Sequence, residues 1–366
     1  MLSIAWNSIA SRDNHGARVP VRAVPLAALG ALAAWGFAQL AASATDYAYA
    51  TRVRSVELTA LAAVAFGFAW CAHDQRLRRK IQEWLAVSGS MLSVVGVLAY
   101  FTAQGKIFWI FASPYPDIWG PFLSRNDFAM FLELAFPAAF VLGIERADPW
   151  SSERTPLRNP YLWMAAWMYA AGLASASRAG AALLTAEAVV LLWHAPRRWR
   201  LYFGAAALAS IAVAGAGTLL GRLQLTDPFA FRRDIAASTI EMIAERPLRG
   251  FGLGTFPQIY PSYARFDAGA VVNHAHNDWL EWCAEGGIPF ALVWLTLAIS
   301  TIPGAFRSKW GLGVIAVFLH ALVDFPFAKP GLAAWAFALI GTLEGGRNEK
   351  SMRPRTLTMQ GEGEHS

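Results

Sequence analysis

Charge is scarce in this chain: only 15% of its 366 residues are Asp, Glu, Lys or Arg, against about a quarter in an ordinary soluble domain. With 56% hydrophobic residues and a mean hydropathy of +0.36, the composition excludes a solvated globular protein. Cysteine is nearly absent as well. Cys71 and Cys283 both sit in apolar surroundings on opposite expected sides of a membrane, so no disulfide is expected and redox compartment is not indicated. The sequence has no Cys-x-x-Cys and no His-Glu-x-x-His, which leaves a zinc site without its ligand spacing. It has no internal repeat. The glycines Gly250, Gly252 and Gly254 occur without a βαβ unit, so they mark a turn rather than a dinucleotide fingerprint, although amides in such a turn can form an anion-binding nest.

What the chain has in abundance is long apolar runs. A hydrocarbon core about 30 Å thick needs roughly 20 apolar residues per helical crossing. About ten runs qualify, near 21–42, 53–72, 84–104, 126–145, 160–176, 178–194, 199–219, 279–303, 311–326 and 331–346. Lys and Arg accumulate on the cytoplasmic side of membrane proteins. With the N-terminus inside, most of the 31 Lys and Arg fall in cytoplasmic segments, among them Arg12, Arg18, Arg22, Arg76, Arg79, Arg146, Arg154, Arg197 and Arg347. Both termini are therefore expected inside, and the sequence pI near 9.5 reflects this bias rather than a nucleic-acid partner. The first run resembles a secretory signal, ending in Ala42-Ser43-Ala44, but the later spans hold the chain in the bilayer regardless.

The expected fold class is all-α, a polytopic transmembrane bundle forming a single membrane domain over 1–346, followed by a polar, disordered cytoplasmic tail over 347–366. Between the seventh and eighth spans lies the long outward loop 221–278. Its expected features are an amphipathic helix from Arg232 or Arg233 to about Ala244, carrying Ile235, Ile240, Met242 and Ile243, which Arg246-Pro247 ends. Aromatic anchors follow at Tyr260 and Tyr263, and a second outer loop near 105–125 is also rich in aromatic residues.

The most informative stretch is His274-Ala-His276-Asn277-Asp278-Trp279-Leu280-Glu281, followed by Glu285-Gly286-Gly287, at the entrance to the eighth span. Ionisable groups at a membrane boundary are costly and tend to mark function. A helix starting near Asn277 puts Asp278, Glu281 and Glu285 on one face. Carboxylates favour a helix N-terminus through the dipole, which accounts for Asp278 and Glu281 but leaves His274, His276 and Glu285 as site candidates. Six arginines in the outward loop (Arg222, Arg232, Arg233, Arg246, Arg249 and Arg265) run against the positive-inside bias and suggest an anionic partner. Arg178, in Ser175-Ala-Ser177-Arg178-Ala-Gly180, is a further candidate at the outer end of a span. Glu133, and His320 with Asp324, are expected inside the fourth and ninth spans, as internal pairs or as site groups.

Arg232, Pro247-Leu-Arg249-Gly250-Phe-Gly252-Leu-Gly254-Thr-Phe256, Tyr260 and the His274–Gly287 element together resemble the O-antigen ligase and polymerase superfamily. Flanking signatures agree: Ser124-Arg125-Asn126-Asp127-Phe-Ala, Ser177-Arg178-Ala-Gly180 and His320-Ala-Leu-Val-Asp324-Phe325. The resemblance runs from roughly residue 20 to 346. It implies a GT-C-like membrane glycosyltransferase of up to about twelve spans, inverting and free of metal or other cofactor, in the bacterial inner membrane with its long loop in the periplasm. The implied donor is an undecaprenyl-diphosphate-linked glycan, and the acceptor is lipid A–core, a growing polysaccharide or a protein. By motif position His276 is the implied catalytic base, with Arg178 and Arg232 holding the diphosphate. His274, Asn277, Arg249, Arg233, Glu281 and Arg125 are the further substrate-binding candidates. An imidazole titrating near neutrality suits removal of a hydroxyl proton, and arginines can stabilise a departing diphosphate. A lipid-linked-sugar exporter is the competing reading from another class, but its charges belong near the membrane midplane, whereas here they gather in one outer loop.

Overall fold

The computed structural model describes residues 23–113, 115, 118–145, 158–214, 230–265, 269 and 271–345. Arg12, Arg18, Arg22, Arg146, Arg154, Arg222 and the tail 347–366 lie outside them, as does the first part of the long loop. Each apolar run holds a helix. The first seven are α1 (Ala23–Ala41), α2 (Ala48–Cys71), α3 (Gln75–Thr102), α4 (Arg125–Glu145), α5 (Pro160–Ala174), α6 (Arg178–Trp193) and α7 (Arg197–Ala214). The long loop contributes α8 (Ala230–Glu245) and α9 (Phe256–Ile259), and α10 (Asp278–Ser308), α11 (Leu312–His320) and α12 (Pro330–Gly345) complete the bundle. Among the described residues the strands are one short antiparallel pair, β1 (Lys106–Ile107) with β2 (Phe111–Ala112). The fold is all-α, as its composition predicts.

Among the described residues five helices, α1, α2, α3, α4 and α10, are long and apolar enough to cross a membrane by length and composition. The ninth run departs most from the span expected over 311–326. Its helix α11 has nine residues, about 14 Å at 1.5 Å per residue, and ends at His320. Pro326 biases Phe325 away from helix, and Phe325 adopts φ −132° and ψ 62°. The carbonyls freed at this end are taken by neighbours: Asp278 N donates to Ala321 O (3.0 Å) and Asp324 O (3.2 Å), and Asn277 Nδ2 donates to Leu322 O (2.8 Å). Asp324 is thereby moved out of the expected span and into a turn at the bundle's end.

Helix α4 is the centre of the bundle, buried along nearly its whole length from Asp127 to Gly143. Small residues let other helices approach closely, as they do at membrane helix interfaces; a Cβ at Gly341 of α12 would stand 2.0 Å from Ala65 O of α2. The loop between α3 and α4 is pinned by Trp119, whose ring stacks on Tyr100 (4.4 Å) and Phe128 (5.0 Å).

The amphipathic helix of the long loop forms as expected. Ile235 and Met242 are buried in a small outer core with Phe251, Phe256 and Tyr260, while Ile240 faces outward, 55% exposed. Helix α10 is broken at Gly287 (φ 79°, ψ 167°). Only glycine fits here, because a Cβ would meet Leu248 O at 2.4 Å in a backbone region that side chains avoid. Ile288 N donates to Pro247 O (2.8 Å) across this contact. The break locks the loop following α8 onto the wall of α10.

Candidate functional site

The His-x-His segment approaches α10 as irregular chain that bends at His276, and Asn277 caps the helix by accepting from Leu280 N (3.1 Å). Two carboxylates of the first turns then fix its surroundings. Glu281 accepts from His274 Nδ1 (2.9 Å) and from Ala275 N (2.8 Å). Asp278 accepts from Phe327 N (3.0 Å), tying the start of α10 to the turn before α12. These two carboxyl groups tie the approach segment and the turn before α12 to the start of α10, and bond to neither of that helix's own first amides.

Glu285, which helix capping left unexplained, does not line the cavity with the histidines. Its side chain accepts from Phe256 N (2.9 Å) and from the Gly254 amide. These two amides of the glycine turn are thus met by the protein's own Glu285 carboxyl group. The turn's other amides are also occupied, since Phe251 N donates to Ala284 O, Gly252 N to Glu285 O, and Leu253 N to Gln39 Oε1. An external ligand nest is therefore not available at this turn.

The two histidines face a cavity of about 490 Å³ at the end of the bundle, lined by three converging segments. The α3–α4 loop and the start of α4 bring Tyr115, Leu123, Ser124, Asn126 and Asp127. The long loop brings Arg232 and Val271 to His274 with His276, and the α11–α12 connection brings Asp324, Phe325 and Lys329. Arg232 Nη1 donates to Val323 O (2.7 Å), and Nη2 stands 3.4 Å from Asp324 Oδ2. The same Asp324 oxygen accepts from Asn126 Nδ2 (2.5 Å). Phe325 forms the apolar face: His274 stacks on it at 4.4 Å, His276 meets it edge-on at 5.0 Å, and Lys329 Nζ lies 4.5 Å from its centroid.

His276 has φ +53°, a left-handed conformation that a bulky residue rarely adopts and that clusters at functional sites. Its Nδ1 is buried without a hydrogen-bond partner. Burial, and secondarily the charge of Arg232, lower its pKa from 6.5 to about 4. The ring is thus held neutral at ordinary pH and able to accept a proton.

Of the sequence candidates, His276, His274 and Arg232 meet in the cavity. Between the adjacent arginines, it is Arg232 that lines it; Arg233 is exposed beside it. Arg178 begins α6 beside the first turn of α4, where Gly180 packs on Ala129, flanking the cavity rather than lining it. Arg125 begins α4 half-buried and Arg249 is exposed beyond the kink, and neither lines the cavity. Asn277 spends its amide on helix ends, and Glu281 accepts with its carboxylate from the loop. Lys329 and Tyr115 were missed by the sequence reading. Lys329 carried one signal, a basic residue in a short segment assigned to the outer side. Among the described residues no group of three His, Cys, Asp or Glu is placed to hold a metal ion.

These features define a class: an all-helical membrane protein with a charged cavity where its loops converge. Residues 163–295 match the family model described as O-antigen ligase. The resemblance to the O-antigen ligase and polymerase superfamily therefore holds over this segment, and the match supports a function of that general type. It contains Arg178, Arg232, His274 and His276, whereas Asp127, Asp324 and Lys329 come from outside it. A comparison with curated proteins gives no match.

Proposed function

We propose that the cavity is the active site of an O-antigen ligase-like glycosyltransferase on the periplasmic face of the bacterial inner membrane. It transfers a glycan from undecaprenyl diphosphate to an acceptor hydroxyl, with inversion and without metal. One observation carries this reading: a neutral, partly desolvated imidazole and a guanidinium from distant parts of the loop line one cavity at the bundle's end. The lining segments are those that the charge bias assigns to the outside.

In the reaction the acceptor hydroxyl gives its proton to His276 as its oxygen bonds to the anomeric carbon. The bond from that carbon to the diphosphate oxygen breaks, and its electron pair leaves on the diphosphate. Arg232 stabilises the charge that develops there with the guanidinium charge and the N–H groups that Val323 O and Asp324 leave open. The proton passes from His276 to solvent. Burial is the larger cause of the weak basicity of His276 and Arg232 the smaller; a diphosphate bound beside the guanidinium offsets the smaller one, so donor binding raises the imidazole's proton affinity part of the way back.

His276→Ala is expected to reduce transfer by about 10²-fold or more in a membrane-fraction assay with lipid-linked donor, with protein level unchanged. Retained transfer would remove His276 from the base role. A chelator arm in the same assay tests metal independence, and activity lost on chelation overturns that part.

A further inference from the structure

We propose that Lys329 is a second anion-binding residue of this cavity, which acts together with Arg232 on the donor's diphosphate. The inference rests on the glycosyltransferase reading and names a residue that lies outside the family-matched segment. A diphosphate leaving group without a metal needs more than one positive contact, and Arg232 is already engaged. One of its nitrogens is spent on Val323 O at 2.7 Å and another faces Asp324. Arg178, which the resemblance suggested as the second contact, is not in the lining.

Lys329 meets the requirement. Its backbone is fixed: its N–H donates to Pro326 O (3.2 Å), its carbonyl accepts from Ala333 N (2.9 Å), and Pro330 opens α12 directly after it. The ammonium is aimed over the Phe325 ring that also carries both histidines. Its carboxylate neighbour, Asp127 Oδ2, stands 3.7 Å away, beyond a hydrogen bond. Asp127 keeps the ammonium in the cavity without saturating it, so its donors remain available to phosphate oxygens. The side chain is 32% exposed, so the ammonium can reach a ligand that enters the cavity while its backbone stays in place.

The test measures binding of undecaprenyl diphosphate to the full-length protein in phosphatidylcholine nanodiscs, with steady-state transfer in parallel. Lys329→Gln is expected to weaken binding by about tenfold, the worth of one charge-assisted contact, and to raise the donor KM more than it lowers kcat. Lys329→Arg is expected to restore most of the affinity, which loss of packing alone does not predict. Phosphatidylglycerol added to the nanodiscs separates a diphosphate site from a generic headgroup contact; competition by it equal to that of the lipid diphosphate overturns the assignment. If Lys329→Gln binds like wild type while Arg232→Gln does not, the Lys329 inference falls and the glycosyltransferase reading stands. If the wild-type protein fails to bind undecaprenyl diphosphate, both fall.

Discussion

Two acid–base constellations lie near each other in this bundle, and they differ in almost every physical respect. His320 Nδ1 and Glu133 Oε1 form a 2.7 Å pair whose side chains are 1% and 0% exposed. In the cavity nearby, Arg232 faces Asp324 at 3.4 Å and Lys329 faces Asp127 at 3.7 Å, with both cations partly open to solvent. Tight, dry pairing fixes a helix junction, since neither partner can leave without stranding the other in a medium that solvates charge poorly. Loose pairing at an opening leaves charges that a ligand can recruit. Ionisable residues in a membrane protein therefore do not carry one meaning: in these two sets, exposure and distance separate scaffold from site.

The comparison breaks most visibly if the buried pair is dispensable. Glu133→Ala is expected to destabilise the protein by about 3–5 kcal/mol, the usual cost of stranding one buried partner, measured as a lower thermal midpoint and lower membrane level. Replacing both residues, Glu133→Leu with His320→Leu, is expected to recover much of that loss. A single variant of full stability, or a double variant worse than the single, contradicts a purely structural role. A smaller effect is expected at Glu285. Glu285→Ala strands the Gly254 and Phe256 amides, each worth about 1–3 kcal/mol when buried and unpaired. The glycine turn is then expected to become protease-sensitive, while undecaprenyl diphosphate binding in the cavity changes little. A specific loss of binding with the turn intact would return Glu285 to the site.

The fold was legible where local pattern suffices. Apolar runs placed the bundle's helices, Arg246-Pro247 marked the end of α8, and Asn277 stands where the cap was expected. The failures have a common physical origin. Glu285 shares a helical face with Asp278 and Glu281 by spacing, but which partner that face meets depends on the contact at Gly287, made by a loop that returns from far in sequence. Asp324 looked like a residue inside a span because Leu312–Phe325 is apolar; the turn after His320 is held by Asp278, Asn277 and Arg232, all remote. Lys329 belongs to no local motif at all, and its meaning comes only from convergence of three loops. The histidine pair and Arg232, which line one cavity, stood out because their residue types are unusual at a membrane boundary, a signal that needs no knowledge of the partners.

The smallest expected effect sharpens the contrast in electrostatic terms. Burial and Arg232 depress His276 to about 4, so its neutral, proton-accepting form persists as pH falls through 6.5, where an ordinary histidine becomes half protonated. In the free enzyme the acid limb of kcat/KM is accordingly expected near pH 4, with little loss between pH 6.5 and 5. The limb of kcat, which reports the donor complex, is expected at higher pH, because the bound diphosphate offsets Arg232 and raises the imidazole's proton affinity. Coincident limbs would mean that the guanidinium and the donor do not meet beside His276. A kcat/KM limb at 6.5 would mean that the base is solvated like a surface histidine, and the cavity would then have lost the desolvation that separates it from an ordinary loop.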